Sequence, residues 1–344
     1  MGARPVLEEQ DSVDLIRHQW ARSFPSRDTR PAGITARILR INFYLNRNAE
    51  EVFKRFNTSG PGFDVLAALF AAGPPYQLTP TQLYRGRMMS SAGITARLDV
   101  VERAGLATRS RDPRDRRGVL VTLSKAGQKV VRDATRALHR RQEFLLTLYT
   151  ASERQLLLAL LRRLLIPLEQ DESGTTLPDL DAAFSPWVRA FPEIDRWLFE
   201  LLIAIPLLTI RINRESDQVL SGFDLTLTGW MTLVALRRSG GDQRLSPGEL
   251  SRVIALSSAG MTAQLDQLEG SDLVKRSPHP DDRRAVHVTL TRAGQKLVDR
   301  AYGPYLALHE RLLHSIPSRD RETLGGLLRK MLLSLEAANN RAAS

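Results

Sequence analysis

The sequence predicts a mainly helical protein with small β wings, organised as two copies of one unit. The chain matches itself at an offset of 167 residues, and apolar residues at helical spacing dominate each copy. In each copy a short segment of alternating residues interrupts the helices. At 344 residues the chain is long enough for two domains with separate cores.

The repeat is specific over its central part. Between residues 90 and 131, 25 of 42 positions are identical to the positions 167 residues later. We therefore assign two units, 14–170 and 181–337, because two long copies predict two domains rather than a solenoid. The polar stretch 171–180 contains a glycine and a proline and is assigned as a linker.

Copy one begins with three predicted helices. Apolar spacing over residues 34–45 predicts a long helix that ends near Phe56. Pro61 opens a second helix, which the Gly-Pro-Pro sequence at 73–75 stops. Thr79, followed by proline, caps a short third helix.

A fourth helix follows, with Ser90 or Ser91 as its cap and an apolar inner face over residues 94–101. Gly105 ends this helix. Copy two has Asp272 in place of that glycine, so we expect a different turn there.

The pattern then changes to two strands and two more helices. Residues 106–109 and 119–123 alternate like strands around a polar segment, 110–118. Leucine-rich helices are predicted from after Ser124 to about Tyr149 and over 153–168. A helix, a short helix, a capped helix and a two-stranded hairpin are the plan of a winged helix-turn-helix.

Four motifs resemble the MarR family of bacterial transcription regulators, and the resemblance covers both units almost end to end. In copy one they are Leu78–Leu83, Ser90–Asp99, Asp115–Arg117 and Val121–Gly127; in copy two they are Leu245–Leu250, Ser257–Asp266, Asp282–Arg284 and Val288–Gly294. The resemblance implies sequence-specific binding of double-stranded DNA. Family members are homodimers with interlocked helices, so two fused units imply an intramolecular pseudo-dimer of two winged helix-turn-helix domains. Further homodimerisation of the fused chain is left open.

The capped helix is the predicted recognition helix, which offers polar side chains to base edges in the major groove. Its predicted DNA-facing residues are Ser90, Ser91, Thr95 and Arg97 in copy one and Ser257, Ser258, Thr262 and Gln264 in copy two. Arginine pairs best with guanine and glutamine with adenine, so the two half-sites are expected to differ at one base. The alternatives are helix capping for Ser90 and Ser257 and packing for the two threonines.

The predicted wing of copy one carries five arginines between residues 109 and 117, which suits phosphate and minor-groove contacts. The wing candidates are Arg111, Arg114, Asp115, Arg116 and Arg117, with Asp282, Arg283 and Arg284 in copy two. By the resemblance, each aspartate orients the last arginine of its motif. The alternative is a solvated hairpin with internal ion pairs. Arg85, Arg87 and Arg252 are weaker phosphate candidates.

Charge differs strongly between the copies. Unit 14–170 has 27 basic and 13 acidic residues, a net charge of +14, whereas unit 181–337 has 20 and 19, a net charge of +1. Because neutralised phosphates carry most salt-dependent affinity, copy one is the expected stronger anchor. Copy two is then a weaker reader of DNA or mainly a dimerisation partner.

Several function classes are disfavoured. The chain has no cysteine, which excludes thiolate chemistry and agrees with a cytoplasmic protein. His309, Glu310 and His314 miss the zinc-protease spacing by one residue, and no phosphate loop or nucleophile motif is present. We therefore expect no enzyme, no cofactor and no metal. The apolar run 198–210 is too short to span a membrane, so no membrane partner is expected.

The expected function is a repressor that reads a pseudo-palindromic operator. In the family, effectors bind between the dimer helices and the DNA-binding lobe, and the apolar stretch 201–210 favours a small apolar or aromatic effector. A more apolar interface explains the same stretch. Two other functions remain: a sequence-tolerant architectural DNA binder, and a regulator in which copy two serves only for dimerisation or interaction.

Overall fold

The computed structural model describes residues 10–24, 28–87, 91–113, 115–165, 180–239, 244–254, 256–278 and 286–343. Its residues form two compact units. The central unit comprises residues 41–208, and the composite unit comprises residues 1–40 together with 209–344. Each is described separately below.

The central unit contains most of copy one. Its complete helices are α3 (Gly60–Ala71), α4 (Pro80–Arg87), α5 (Ser91–Arg103), α6 (Lys125–Gln142), α7 (Phe144–Thr147), α8 (Ala151–Leu165) and α9 (Leu180–Ala190). Its strands are β1 (Gln77–Leu78), β2 (Ala107–Asp112) and β3 (Asp115–Leu123). The unit also holds the second part of α2 (Arg30–Arg55) and the first part of α10 (Arg196–Ser221).

The composite unit contains most of copy two. Its complete helices are α1 (Ser12–Ser23), α11 (Leu227–Arg238), α12 (Pro247–Ile254), α13 (Ser258–Gly270), α14 (Arg292–Leu312) and α15 (Ser318–Ala343). Its strands are β4 (Arg244–Leu245), β5 (Val274–Pro278) and β6 (Val286–Leu290). The first part of α2 and the second part of α10 complete it.

Each unit therefore includes an N-terminal segment that belongs, by the repeat, to the other copy. We call residues 10–40 arm one and residues 180–208 arm two. In the central unit, Trp187, Phe191 and Phe199 of arm two belong to the same buried core as Phe70 of α3. Because these rings are buried, arm two is an integral part of that core. The repeat bounds 14–170 and 181–337 stay a prediction.

The described residues of each unit form a small antiparallel sheet, with strand orders β1-β3-β2 and β4-β6-β5. The predicted two-stranded hairpin is present in each unit, and a third strand of two residues, which the sequence did not predict, pairs with its second strand. Gln77 pairs with Thr122, and Arg244 pairs with Thr289. Two residues are too few to produce a visible alternation in the sequence.

The predicted helices of copy one are confirmed, with one correction. Helix α2 ends at Arg55, and α3 begins after its cap Ser59 with proline in its first turn. The predicted fifth helix is interrupted at Glu143, where α6 gives way to the short α7. Helices α1 and α9 had no counterpart in the sequence prediction. The mainly helical class with small sheets is confirmed.

Candidate nucleic-acid interface

The helices behind each predicted recognition helix hold it through a buried apolar stripe. In the central unit, Ile94, Leu98 and Val101 of α5 are buried beside Leu83 of α4. In the composite unit the corresponding residues are Leu250, Met261, Leu265 and Leu268. Because these positions recur at spacings of three and four, the opposite face of each helix is left to solvent.

Side-chain caps define where these helices begin. Ser257 caps α13, and its Oγ accepts a hydrogen bond from the Gly260 N–H at 3.1 Å. Thr79 and Gln82 form a reciprocal cap at the start of α4, as Ser246 and Glu249 do at α12. The capping role of Ser257 is therefore shown, whereas its contact with bases stays a prediction.

Each recognition helix exposes similar residues. Thr95 and Ala96 are exposed on α5, and Thr262 and Ala263 are exposed on α13. Ser258 is also exposed, and its carbonyl oxygen accepts a hydrogen bond from the Thr262 hydroxyl at 3.1 Å. These short side chains leave room for a base edge to approach the helix.

Gln264 does not belong to that face, so its predicted outward position was wrong. The side chain is only 8% exposed, and its Oε1 lies 3.5 Å from the hydroxyl of Thr226. The residue follows Met261 by three positions and precedes Leu268 by four, which places it on the buried stripe. The corresponding Arg97 is half-buried. The predicted difference between half-sites loses its structural basis at Gln264.

In each unit, an arginine on the wing strand that follows the recognition helix, β2 or β5, binds that helix. In the composite unit, the guanidinium of Arg276 lies 2.5 Å from Asp266 and 3.4 Å from Glu269. It also donates to the carbonyl oxygen of Thr262 at 3.2 Å. The backbone N–H of Arg276 donates to Glu269 at 2.9 Å.

The central unit repeats this arrangement. The guanidinium of Arg109 lies 2.7 Å from Asp99 and 3.3 Å from Glu102, and it donates to the carbonyl oxygen of Thr95 at 3.3 Å. Its backbone N–H donates to Glu102 at 3.1 Å. Arg109 is therefore ion-paired, but with the recognition helix and not within the hairpin as the alternative had it. The sequence signal for this pairing is an Asp-x-x-Glu pair followed, seven residues after the glutamate, by arginine.

The turn between recognition helix and wing is the same in both units. Gly105 has φ +70° and Asp272 has φ +54°, both in the left-handed region. The hydroxyl of Ser124 donates to the carbonyl oxygen of Gly105 at 2.8 Å, and that of Thr291 donates to Asp272 at 2.6 Å. The expected change of turn was wrong, because aspartate tolerates this conformation better than most residues.

Only some of the predicted phosphate-contacting residues are described by the structure. Of these, Arg111 and Arg252 are exposed, and the Nε of Arg252 donates to the carbonyl oxygen of Gly248 at 3.4 Å. Ser90, Arg114, Asp282, Arg283 and Arg284 lie outside the described residues, as do the side chains of Arg85, Arg87, Ser91, Asp115, Arg116 and Arg117.

The described part of the chain contains no cluster of three or more histidine or acidic side chains that could hold a metal ion. A depression lined by Trp20, Phe24, Val234, Arg237, Arg238 and Val298 leaves essentially no volume for a water-sized molecule, far below the roughly 300–1,000 Å³ usual for ligand pockets. No single described helix is long and apolar enough to cross a membrane, although Lys125–Thr147 and Ala151–Leu165, bent by 115°, pass together by length and composition.

Comparison with known proteins identifies the family. The MarR family model matches residues 225–286. The HTH-type transcriptional repressor NicR of Pseudomonas putida is 35% identical over 114 residues, which are 33% of this chain and 70% of NicR. The chain belongs to the MarR family. Its members are winged helix-turn-helix, DNA-binding transcription regulators.

Other MarR-family relatives match almost their whole length. The HTH-type transcriptional regulator PecS of Dickeya dadantii is 29% identical over 151 residues, 44% of this chain and 91% of PecS. The crystal structure of apo MarR from E. coli covers 37% of this chain and 93% of that chain at 28% identity, with a TM-score of 0.35. Each relative thus corresponds to less than half of the chain.

Proposed function

We propose that the chain is a fused pseudo-dimer of two MarR-like units, 14–170 and 181–337 joined by linker 171–180, that represses transcription by binding a pseudo-palindromic operator. The observation that carries the proposal is the shared exposed face of the recognition helices, Thr95 with Ala96 and Thr262 with Ala263. Equal reading faces favour two equal half-sites. Relatives of single-unit length, one of which is named a transcriptional repressor, support the same function.

The wings and flanking arginines supply the non-specific part of binding in this proposal. Exposed Arg111 and Arg252 contact phosphates, as do the predicted arginines at 85, 87, 114, 116, 117, 283 and 284. Asp115 and Asp282 orient the last arginines of their motifs. The net charges of +14 and +1 make copy one the stronger anchor.

Release from DNA is proposed to follow binding of a small apolar or aromatic effector near the arms. In the composite unit arm one meets α11, since Arg237 of α11 lies over the Phe24 ring at 5.6 Å. Helix α11 also supports α13, because Gln264 of α13 packs beside Gly229 of α11. A ligand that moved arm one would therefore also move α11, the helix that supports the recognition helix α13.

Selection of bound DNA from a random pool tests this proposal with the full chain. We expect an inverted repeat with two equal half-sites. Thr95→Ala and Thr262→Ala should each relax base preference at the same position of one half-site, with Ser315→Ala in the turn between α14 and α15 as control. A selected pool without common sequence would indicate an architectural binder, and a single half-site would indicate that one copy alone reads DNA.

A further inference from the structure

We propose that Arg109 and Arg276 are positioning residues, each of which clamps the first wing strand to the recognition helix and sets the distance between these two DNA-contacting elements. The contribution to DNA binding rests on the proposed function. The clamp itself is a property of each unit and is testable without DNA.

In the clamp, the charge of each arginine is paired and its N–H donors are already hydrogen-bonded. Arg276 is 27% exposed and Arg109 is 29% exposed on the side chain, and each is held by two carboxylates and a carbonyl oxygen. A guanidinium that already meets three acceptors is poorly available to a phosphate. These residues therefore differ from the exposed Arg111, although all three stand on wing strands.

The glutamate makes the clamp two-sided. Glu269 accepts from the backbone N–H of Arg276 and also pairs with its guanidinium, and Glu102 does the same with Arg109. The contacts thus fix both the strand backbone and the side chain. An exposed ion pair alone contributes little, but a network with backbone hydrogen bonds restrains geometry.

The clamp is the same in both units, although its surroundings differ. Thr108 of one wing corresponds to Lys275 of the other, and the half-buried Arg97 corresponds to the buried Gln264. Differences close to the clamp leave its distances within a few tenths of an ångström. This points to a shared demand for one strand-to-helix geometry.

Variants of the composite unit in the full chain test the proposal, using the DNA recovered by selection. Arg276→Ala and Arg276→Lys should both weaken binding by about tenfold, because lysine retains the charge but cannot bridge the same acceptors. The dependence of log affinity on log salt concentration should stay unchanged. Asp266→Asn should also weaken binding, although it removes a negative charge from the DNA-facing helix.

Amide hydrogen exchange without DNA gives the second readout. Arg276→Ala should accelerate exchange in strand β5, whereas the exposed neighbour variant Lys275→Ala should leave that exchange unchanged. Unchanged exchange in Arg276→Ala overturns the clamp whatever happens with DNA. Accelerated exchange with no recovered DNA sequence supports the clamp and contradicts the proposed function.

The binding data can also overturn the positioning role. If Arg276→Ala lowers the salt slope by about one while Arg276→Lys binds like the unchanged protein, Arg276 is a phosphate ligand. Tighter binding by Asp266→Asn would likewise contradict a positioning role.

Discussion

Each arm places a phenylalanine in its unit, Phe24 from arm one and Phe191 from arm two, but the contact partners of the two rings differ. In the composite unit, Phe24 stacks on Tyr302 of α14 at 3.8 Å, and Arg237 of α11 lies over it. In the central unit, Phe191 lies 6.0 Å from Phe70 of α3, and Arg136 of α6 lies over it at 5.8 Å.

The helix that supplies the aromatic partner and the helix that supplies the cationic partner are thus exchanged between the two units. Helices α3 and α11 correspond by the repeat, as do α6 and α14, yet the ring comes from α3 in one unit and from α14 in the other. Besides the tryptophan of its own arm, each phenylalanine keeps one aromatic and one cationic neighbour. The kind of contact is retained while its source changes, so no single position predicts it.

The ionic contacts of the arms also differ. In the composite unit, Arg37 lies 2.6 Å from both Asp11 and Asp14, and Arg329 lies 3.0 Å from Asp14. Burial alone would raise the pKa of Asp14, but the hydrogen bond and charge of Arg37 and the charge of Arg329 lower it overall. In the central unit, the buried Glu200 instead accepts from Arg162 and Arg196.

The largest expected effect comes from Arg37→Ala, which copies the alanine at the corresponding position 204. Arg37 is 5% exposed and Asp11 is fully buried, so removing the cation leaves a buried carboxylate unpaired. We expect the free energy of unfolding to fall by about 3–5 kcal/mol in urea denaturation. The control Arg196→Ala, at a mostly exposed arginine, should cost no more than about 1 kcal/mol. Similar losses of unfolding free energy for the two variants would contradict the expected difference between the ionic contacts of the two arms.

The aromatic residues of the arms should differ in the same measurement. Phe191 is 1% exposed, so Phe191→Ala should cost about 3–5 kcal/mol of unfolding free energy. Phe24 is half-buried, and Phe24→Ala should cost less, about 1–2 kcal/mol. A larger loss at Phe24 would show that its close stack on Tyr302 outweighs the difference in burial.

Acid should destabilise the composite unit through His309, whose Nδ1 lies 2.9 Å from the hydroxyl of Thr35. Burial lowers the pKa of His309 from 6.5 to about 4. The unfolded chain therefore binds more protons between these values, so stability is complete above pH 6.5 and falls as pH decreases toward 4. The loss by pH 5 should be about 2 kcal/mol.

The variant His309→Gln, which copies the glutamine at position 142, tests this dependence. It should flatten the fall of unfolding free energy between pH 6.5 and 5. Burial also lowers the pKa of His139 in the central unit, so His139→Leu should remove a second contribution of the same sign. A dependence that survives both substitutions would assign acid sensitivity to other groups.

The smallest effect concerns the cap of the recognition helix in the composite unit. Ser257→Ala should lower unfolding free energy by about 1 kcal/mol, whereas Ser257→Gly should cost only a few tenths. Ser258→Ala, one residue further and exposed, is the control and should change stability little. If operator affinity follows stability through this series, Ser257 acts as a cap; if Ser257→Gly loses affinity without losing stability, the hydroxyl contacts DNA.

Local features were readable from the sequence. The cap at Thr79, the helix that ends at Arg55 and the two long wing strands follow from interactions within a few residues. Such interactions are encoded by neighbouring positions, so periodicity and capping residues suffice to predict them. The same reasoning placed the recognition helices correctly along the chain.

The direction of single side chains was less predictable. Gln264 sits at the border of the buried stripe, where a rotation of one helical position decides between solvent and core. Arg109 reads as one of five wing arginines, but its partners lie on the preceding helix. Both outcomes depend on how a helix is rotated against its support.

By itself the sequence determined the helical class, the winged helix-turn-helix order and the repeat, since these follow from local propensity and from self-comparison. Only the tertiary structure decided that arm two completes the central core and arm one the composite unit. It also decided which helices supply the aromatic and cationic partners of Phe24 and Phe191. These outcomes depend on contacts between residues far apart in the chain, which no local pattern records.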